Sequence, residues 1–164
     1  MNLTYCFPSP LTVPFDENQL QNPASRKGRV RKKTTDLLLQ ACNSGRIKAV
    51  IGRSADFYGP GAVNSSLYSS FLQRMLDGKA PMFIGMGGVK HTYAYTGDVG
   101  KALVCLALDE ACCGQVWHLP VSEPLTIEEI TAKVNKILGS KGIDCLSISE
   151  SIQTVGLAGF SKSL

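Results

Sequence analysis

Two stretches decide the fold of this chain: Arg26-Lys27-Gly28-Arg29-Val30-Arg31, a basic helix start, and Val50-Ile51-Gly52-Arg53-Ser54-Ala55-Asp56-Phe57-Tyr58-Gly59-Pro60-Gly61, a strand running into a Gly/Pro turn. Beyond the first, Val30, Thr34, Leu37, Leu38 and Ala41 recur at helical spacing. Ser25 is placed to cap the start and Asn43-Ser44-Gly45 to stop it, which predicts one amphipathic helix from about Arg26 to Cys42. In the second stretch, Ile47 to Gly52 is an apolar run too short for a helix, and it reads as a strand.

Upstream, Asn2 to Phe7 is a β-like run cut off by Pro8 and Pro10, and Pro10 to Pro23 is a polar, proline-punctuated loop. Downstream, Asn64 or Ser65 opens a second helix carrying Leu67, Phe71, Met75 and Leu76, which stops at Asp77-Gly78. Met82 to Gly85 and His91 to Tyr95 are strand-like and flank Met86-Gly87-Gly88, which suggests a hairpin. Val99, Ala102, Leu103, Leu106 and Ala107 form the stripe of a third helix, with Thr96 or Asp98 as cap. Val116 to Leu119 reads as a strand. Thr126-x-x-Glu129 is a capping box opening a helix with inner face Ile127, Ile130, Val134, Ile137 and Leu138, closed by Gly139. Ile143 to Ile148 is a further strand candidate in a poorly signalled tail, 140–164.

Strands alternating with helices argue for an α/β fold with a parallel sheet. Ligands of such sheets collect at the carboxyl ends of the strands, here Arg53 to Gly61 and Pro120 to Pro124.

Composition bounds the rest. A chain of 164 residues, 44% apolar and 18% charged, suits a single globular domain. It contains no apolar run of the roughly 18 residues that span a bilayer, and Met1 to Pro14 lacks a signal-peptide pattern, so a cytoplasmic protein is expected. Ser161-Lys162-Ser163-Leu164 only approaches a peroxisomal address. The six cysteines include no C-x-x-C pair and no His at ligand spacing, so no metal site is expected. They fit a reducing compartment, with Cys42 and Cys105 as small buried hydrophobes. The net charge of +4 is concentrated: six of the eight residues from Arg26 to Lys33 are basic. Such a run attracts phosphates or an acidic partner, but without interleaved aromatics or a reading motif it points to a solvated helix face rather than nucleic acid.

Four blocks in order, R-K-G-R-V-R, G-R-S-A-D-F-Y-G-P-G, H-T-Y-A-Y-T-G-D-V-G-K-A-L and Q-V-W-H-L-P, resemble an atypical branch of the NAD-dependent epimerase/dehydratase family, the extended short-chain dehydrogenases. The resemblance spans about Asn2 to Gly139. It implies the C-terminal part of a Rossmann-like sheet with a smaller substrate-side lobe at about 64–95, all within one partial domain over 1–164. It implies NAD or NADP as cofactor and hydride-transfer chemistry on a sugar-like or other small substrate.

The family's Tyr-x-x-x-Lys pair carries over in part. Lys27 takes the lysine position as catalytic and cofactor-binding residue, but four residues earlier stands Pro23, which has no proton to exchange. Tyr5 or Tyr58 is the substitute within reach of the pattern, and Thr4 would be the accompanying hydroxyl. The resemblance places Ser54 and Ala55 against the nicotinamide carboxamide and Asp56, Tyr58 and His91 toward substrate. Asp56 stands where an Asn is usual and His91 where an arginine holds a phosphate, departures that disfavour nucleotide-sugar substrates. Asp56 bonding the Tyr58-Gly59-Pro60 turn is an equal alternative. His118 reads as structural, and Asp98 as a helix cap.

The family's G-x-G-x-x-G loop has no counterpart in the sequence. Gly85-Met86-Gly87-Gly88 lacks the following helix that would hold a pyrophosphate. The expectation is a truncated, singly inactive member whose Asn2 to Phe7 strand is an exposed edge open to self-association or a partner chain. A non-catalytic binding module of the same fold is the alternative, and a nucleic-acid-binding domain using Arg26 to Lys33 the third reading.

Overall fold

A computed structural model describes residues 16–83, 88–139 and 146–147. The expected Asn2 to Phe7 strand, Thr4, Tyr5, the Met86-Gly87 loop and most of the tail lie outside the described residues.

The chain divides into two compact units, Met1–Gly59 with Ala94–Ser122, and Pro60–Tyr93 with Glu123–Leu164. The first opens with helix α1, Arg26–Asn43. Ser25 caps it as expected, its hydroxyl accepting the Gly28 N–H at 3.0 Å. The helix turns an unexpected side inward: Gly28 and Thr35 are buried, while Val30 is 59% and Leu37 55% exposed. Thr35 is compatible with that inner side because its hydroxyl donates to the Arg31 carbonyl at 3.2 Å. Outward, the apolar residues alternate with Arg26 and Lys33.

Strand β1, Ile51–Arg53, is shorter than its apolar run, and Ile47 before it is exposed. It pairs in parallel with β5, Val116–His118, in the register Ile51 to Val116, Gly52 to Trp117 and Arg53 to His118. This parallel pair bears out the α/β expectation. Strand β2, Asp56–Tyr58, pairs with β4, Tyr93–Tyr95, whose last two residues belong to the first unit. Helix α3, Thr96–Leu108, follows directly. Neither expected residue caps it: Tyr95 holds the N-cap position, and Asp98 lies in the first turn, 3.7 Å from Lys101. Ala55, Ala94, Val99 and Leu119 make the core, with Ala102 and Leu106 packed on it. Leu103 is 42% exposed, though its methyl group faces Gly52, where a Cβ would lie 2.9 Å away.

Past α3, a short 3-10 turn at Glu110–Cys112 is started by Asp109, which accepts the Ala111 N–H at 2.9 Å. Here the cysteine reading is corrected. Cys105 is exposed and Cys42 half-buried, whereas Cys112 is buried and Cys113 beside it exposed. The Ala49 carbonyl accepts the Gly114 N–H at 2.8 Å and lies 3.7 Å from Cys42 Sγ, tying this turn to the end of α1.

In the second unit, one helical run begins as a π-helix, Leu67–Leu72, and continues as α2, Gln73–Leu76. Ser65 holds its start by accepting the Tyr68 N–H at 3.1 Å. Leu67, Phe71 and Met75 are buried as expected, but Leu76 is 58% exposed. Strand β3, Met82–Phe83, pairs in parallel with β6, Leu146–Ser147, and among the described residues it has no pairing with β4, while the rest of the expected hairpin falls on residues outside the described ones. Local sequence suggested a turn, and a strand more than 60 residues away supplied the partner instead.

Helix α4, Ile127–Leu138, carries the complete capping box of Thr126 and Glu129 and ends at Gly139 with φ +63°. Its inner side carries Ile127 and Thr131, buried, with Ile130 and Val134 half-buried, as the expected stripe has it up to Val134, while Ile137 at 81% and Leu138 at 41% exposure depart from it in the last turn. Thr131 bonds its hydroxyl to the Ile127 carbonyl at 2.7 Å, which is how a threonine fits a buried face.

Candidate active site at the strand ends

The first unit gathers polar groups where β1 and β5 finish. Arg53, the last residue of β1, is 1% exposed, and a buried guanidinium needs acceptors. The Gln21 side-chain amide lies against it and, turned so that its oxygen faces the two terminal guanidinium nitrogens, accepts from both, one of them at 3.1 Å. Across the register stands His118, whose backbone N–H donates to Glu17 Oε1 at 2.7 Å. That N–H points away from β1, because the neighbouring Leu119 N–H is the one that donates to the Arg53 carbonyl, at 2.7 Å.

These contacts set the charges. The His118 N–H bond, with help from the His118 and Arg53 charges, holds the Glu17 carboxyl below its usual range against the opposing effect of burial. Burial chiefly pushes the His118 imidazole down. The Arg53 charge adds to this, and Glu17 and Asp16 oppose it.

Immediately beyond Arg53 lie the residues expected to meet cofactor and substrate. Ser54 is 1% and Ala55 7% exposed, and the Ser54 hydroxyl donates to the Ala55 carbonyl at 3.0 Å. Ser54 thus spends its side chain internally, leaving the main chain as the feature it can present. Asp56 and Tyr58 are half-buried on β2. The Tyr58 ring lies 5.5 Å from that of Tyr95, tilted by 51°. Tyr95 in turn sits between two glycines: a Cβ at Gly59 or at Gly97 would each fall 2.6 Å from its ring. Gly59 has φ +108°, so the turn after Tyr58 is doubly restricted to glycine.

Lys27 is exposed on the first turn of α1 in the same unit. His91 belongs to the second unit, where its backbone pairs with Leu125 and its ring meets the edge of Tyr93 at 4.8 Å. The structure therefore places Ser54, Ala55, Asp56 and Tyr58 on one continuous segment, with Lys27 in their unit and His91 in the other. The sequence reading missed Glu17, Gln21, Arg53 and Tyr95. Arg53 alone carried a signal, as a charge ending an apolar strand. Glu17 and Gln21 looked like ordinary loop polarity.

The first unit thus holds a lysine at a helix start and a buried small-residue segment with main chain to offer an amide. Among the described residues no glycine-rich turn feeds a helix N-terminus as a pyrophosphate requires. No cluster of His, Cys, Asp or Glu suited to a metal occurs among them either, and no described helix is long and apolar enough to cross a membrane.

Comparison with known proteins agrees with this geometry. The chain is similar in structure to the UDP-glucuronic acid 4-epimerase of Bacillus cereus, solved with UDP-glucuronic acid and NAD, at 22% identity and TM-score 0.73, covering 87% of this chain and 45% of that one. It is similar to the dTDP-glucose 4,6-dehydratase of Streptomyces venezuelae, at 19% identity and TM-score 0.70, covering 87% and 44%. The UDP-glucose 4-epimerase of Thermotoga maritima matches at 22% identity and TM-score 0.71, covering 86% and 46%. These likenesses establish a Rossmann-like fold matched over less than half of each relative. In sequence, the uncharacterized protein y4nL of Sinorhizobium fredii is 27% identical over 125 residues, 76% of this chain and 34% of that protein. Residues 7–117 match the NAD dependent epimerase/dehydratase family as a whole, and the chain belongs to that family.

Proposed function

We propose that this chain forms the nicotinamide and substrate side of an NAD(P)-dependent epimerase/dehydratase-type oxidoreductase acting on a small, sugar-like substrate. The observation that carries the reading is the segment Ser54 to Tyr58, buried at its start and with Asp56 and Tyr58 half-buried beyond, directly after the carboxyl end of a parallel strand. In this reading Lys27 holds the nicotinamide ribose, and the main chain at Ser54 and Ala55 meets the carboxamide. Asp56 and Tyr58 face the substrate, and His91, in the second unit, is kept as a substrate-binding candidate by the resemblance alone. The cofactor supplies hydride acceptance and donation.

Pro23 removes the usual proton-exchanging tyrosine, so Tyr58 is the phenol available for that task among the described residues of this segment. The same Pro23 favours a second reading, a binding module of this fold that does not turn over by itself. Self-association or a partner chain at the sheet edge is compatible with this reading, and a reducing cytoplasm suits the free thiols.

The test is calorimetric titration of the chain with NADH and NADPH, with solution mass recorded on the same sample. Binding that weakens at least tenfold in Lys27→Ala supports the reading. Binding indifferent to Lys27, or none at millimolar cofactor by a folded chain of defined mass, overturns it.

A further inference from the structure

Residues Asp16 to Ala24 run past the ends of both parallel strands, yet almost nothing but side chains holds them there. The segment is mostly exposed, and its one large apolar residue, Leu20, is 75% exposed, so hydrophobic burial does not anchor it. Among the described residues no backbone hydrogen bond joins it to β1 or β5. Its far end is tied to α1, and its near end carries a turn of its own. A turn at Asp16 closes the near end, where Asp16 accepts the N–H of Asn18 at 2.9 Å and of Gln19 at 3.2 Å. At the far end the Arg29 side chain donates to the Ala24 carbonyl at 2.5 Å, just before the cap of α1. Between these ends the ties to the sheet are Glu17 on the His118 N–H and Gln21 on Arg53.

We propose that Asp16–Ala24 is a strap latched across the carboxyl ends of β1 and β5 by Glu17 and Gln21, and that protonation of Glu17 releases it. The strap crosses the edge at which parallel sheets take their ligands, so its release opens that edge. The inference rests on the function proposed above only for what enters; the strap itself stands on the contacts.

A segment with few buried contacts belongs to the low-stability end of a structure, where the loss of one charge-assisted bond shifts the open population. The groups facing the latch are few among the described residues. Arg53 on β1 and His118 on β5 face Glu17, and Asp16 on the strap faces His118. Because Glu17 titrates below its ordinary range, the latch is intact above that range and lost as the pH falls through the lowered value. Protonated His118 would repel Arg53 while attracting Glu17, so its own titration gives no comparable release.

The experiment is amide hydrogen exchange on the whole chain, corrected for intrinsic rates, at pH 7 and pH 3.5. It follows the His118 amide by NMR and the Asp16–Ala24 peptide by mass, with α3 peptides as the internal standard. In the wild type, exchange of the His118 amide, the one the latch protects, should rise at least threefold at pH 3.5 relative to α3. Glu17→Ala should show the raised exchange already at pH 7. Glu17→Gln, which keeps an acceptor but cannot titrate in this range, should flatten the pH response. Equal exchange in Glu17→Ala and wild type at pH 7 overturns the proposal, as does a Glu17→Gln response matching the wild type, or a strap that opens only together with α3. None of these readouts needs a bound cofactor, so failure of the functional reading and failure of the strap are told apart.

Discussion

Gly45 and Gly59 both adopt positive φ, +71° and +108°, but their surroundings differ. Nothing lies within 4 Å of a Cβ placed on Gly45, whereas at Gly59 the Tyr95 ring and the Thr96 hydroxyl stand at 2.6 to 2.8 Å. Gly45→Ala should therefore cost about 1 kcal/mol, the conformational penalty alone. Gly59→Ala should cost about 3 kcal/mol, since Tyr95 must also move. Urea unfolding of the two variants measures the difference, and equal midpoints would contradict the wedge described for Tyr95. The sequence made this turn visible as Tyr58-Gly59-Pro60-Gly61. It could not reveal Tyr95, because the ring that forbids a side chain arrives from a strand 36 residues later.

The helices illustrate what local sequence can and cannot specify. Ser25 and the Thr126–Glu129 box were legible because a cap is satisfied within three residues, as both are here. The inner face of α1 was not, and that of α4 only as far as Val134, since a stripe with Val30 and Leu37 or with Ile137 and Leu138 says only that one side is apolar. Which side turns inward is decided by packing: in α1 the small or self-bonded Gly28 and Thr35 took it, and in α4 Thr131 joined Ile127 while the last turn stayed out. Helix α1 also places its cations at the wrong end for its dipole, with no acid in the first turn and no base in the last. Arg26→Asp should accordingly stabilise the chain by about 0.5 kcal/mol at low salt, shrinking as salt is added. Thr126→Ala should cost about 1 kcal/mol. Thermal melts at two ionic strengths check both signs.

For the whole molecule, the strand ends make stability depend on acid from two directions that add. Glu17 has a native pKa below its ordinary value, so its contribution is complete above that value and disappears as the pH falls through the native one. His118 is kept neutral chiefly by burial, so below its ordinary value the unfolded chain takes up a proton that the native chain resists. The melting temperature should fall in two stages, from about pH 6.5 for His118 and from about pH 4 for Glu17. His118→Gln should remove the first stage and Glu17→Gln should reduce the second. A melting temperature flat between pH 7 and pH 5 in the wild type would contradict the burial of His118. At this scale the parallel α/β arrangement was legible from strand and helix alternation. The pairing of β3 with β6 was not, because it joins segments that share no local signal.

Cys112 and Cys113 are neighbours in the chain with opposite exposure, and burial raises the Cys112 thiol further from its reactive form. Two adjacent sulfurs therefore keep different time. A thiol reagent should consume the exposed Cys113 first, while Cys112 waits for the turn bound to Ala49 to come apart. Followed by mass spectrometry, the interval between the two modifications gives the protein a chronometer of its own opening, with no label added.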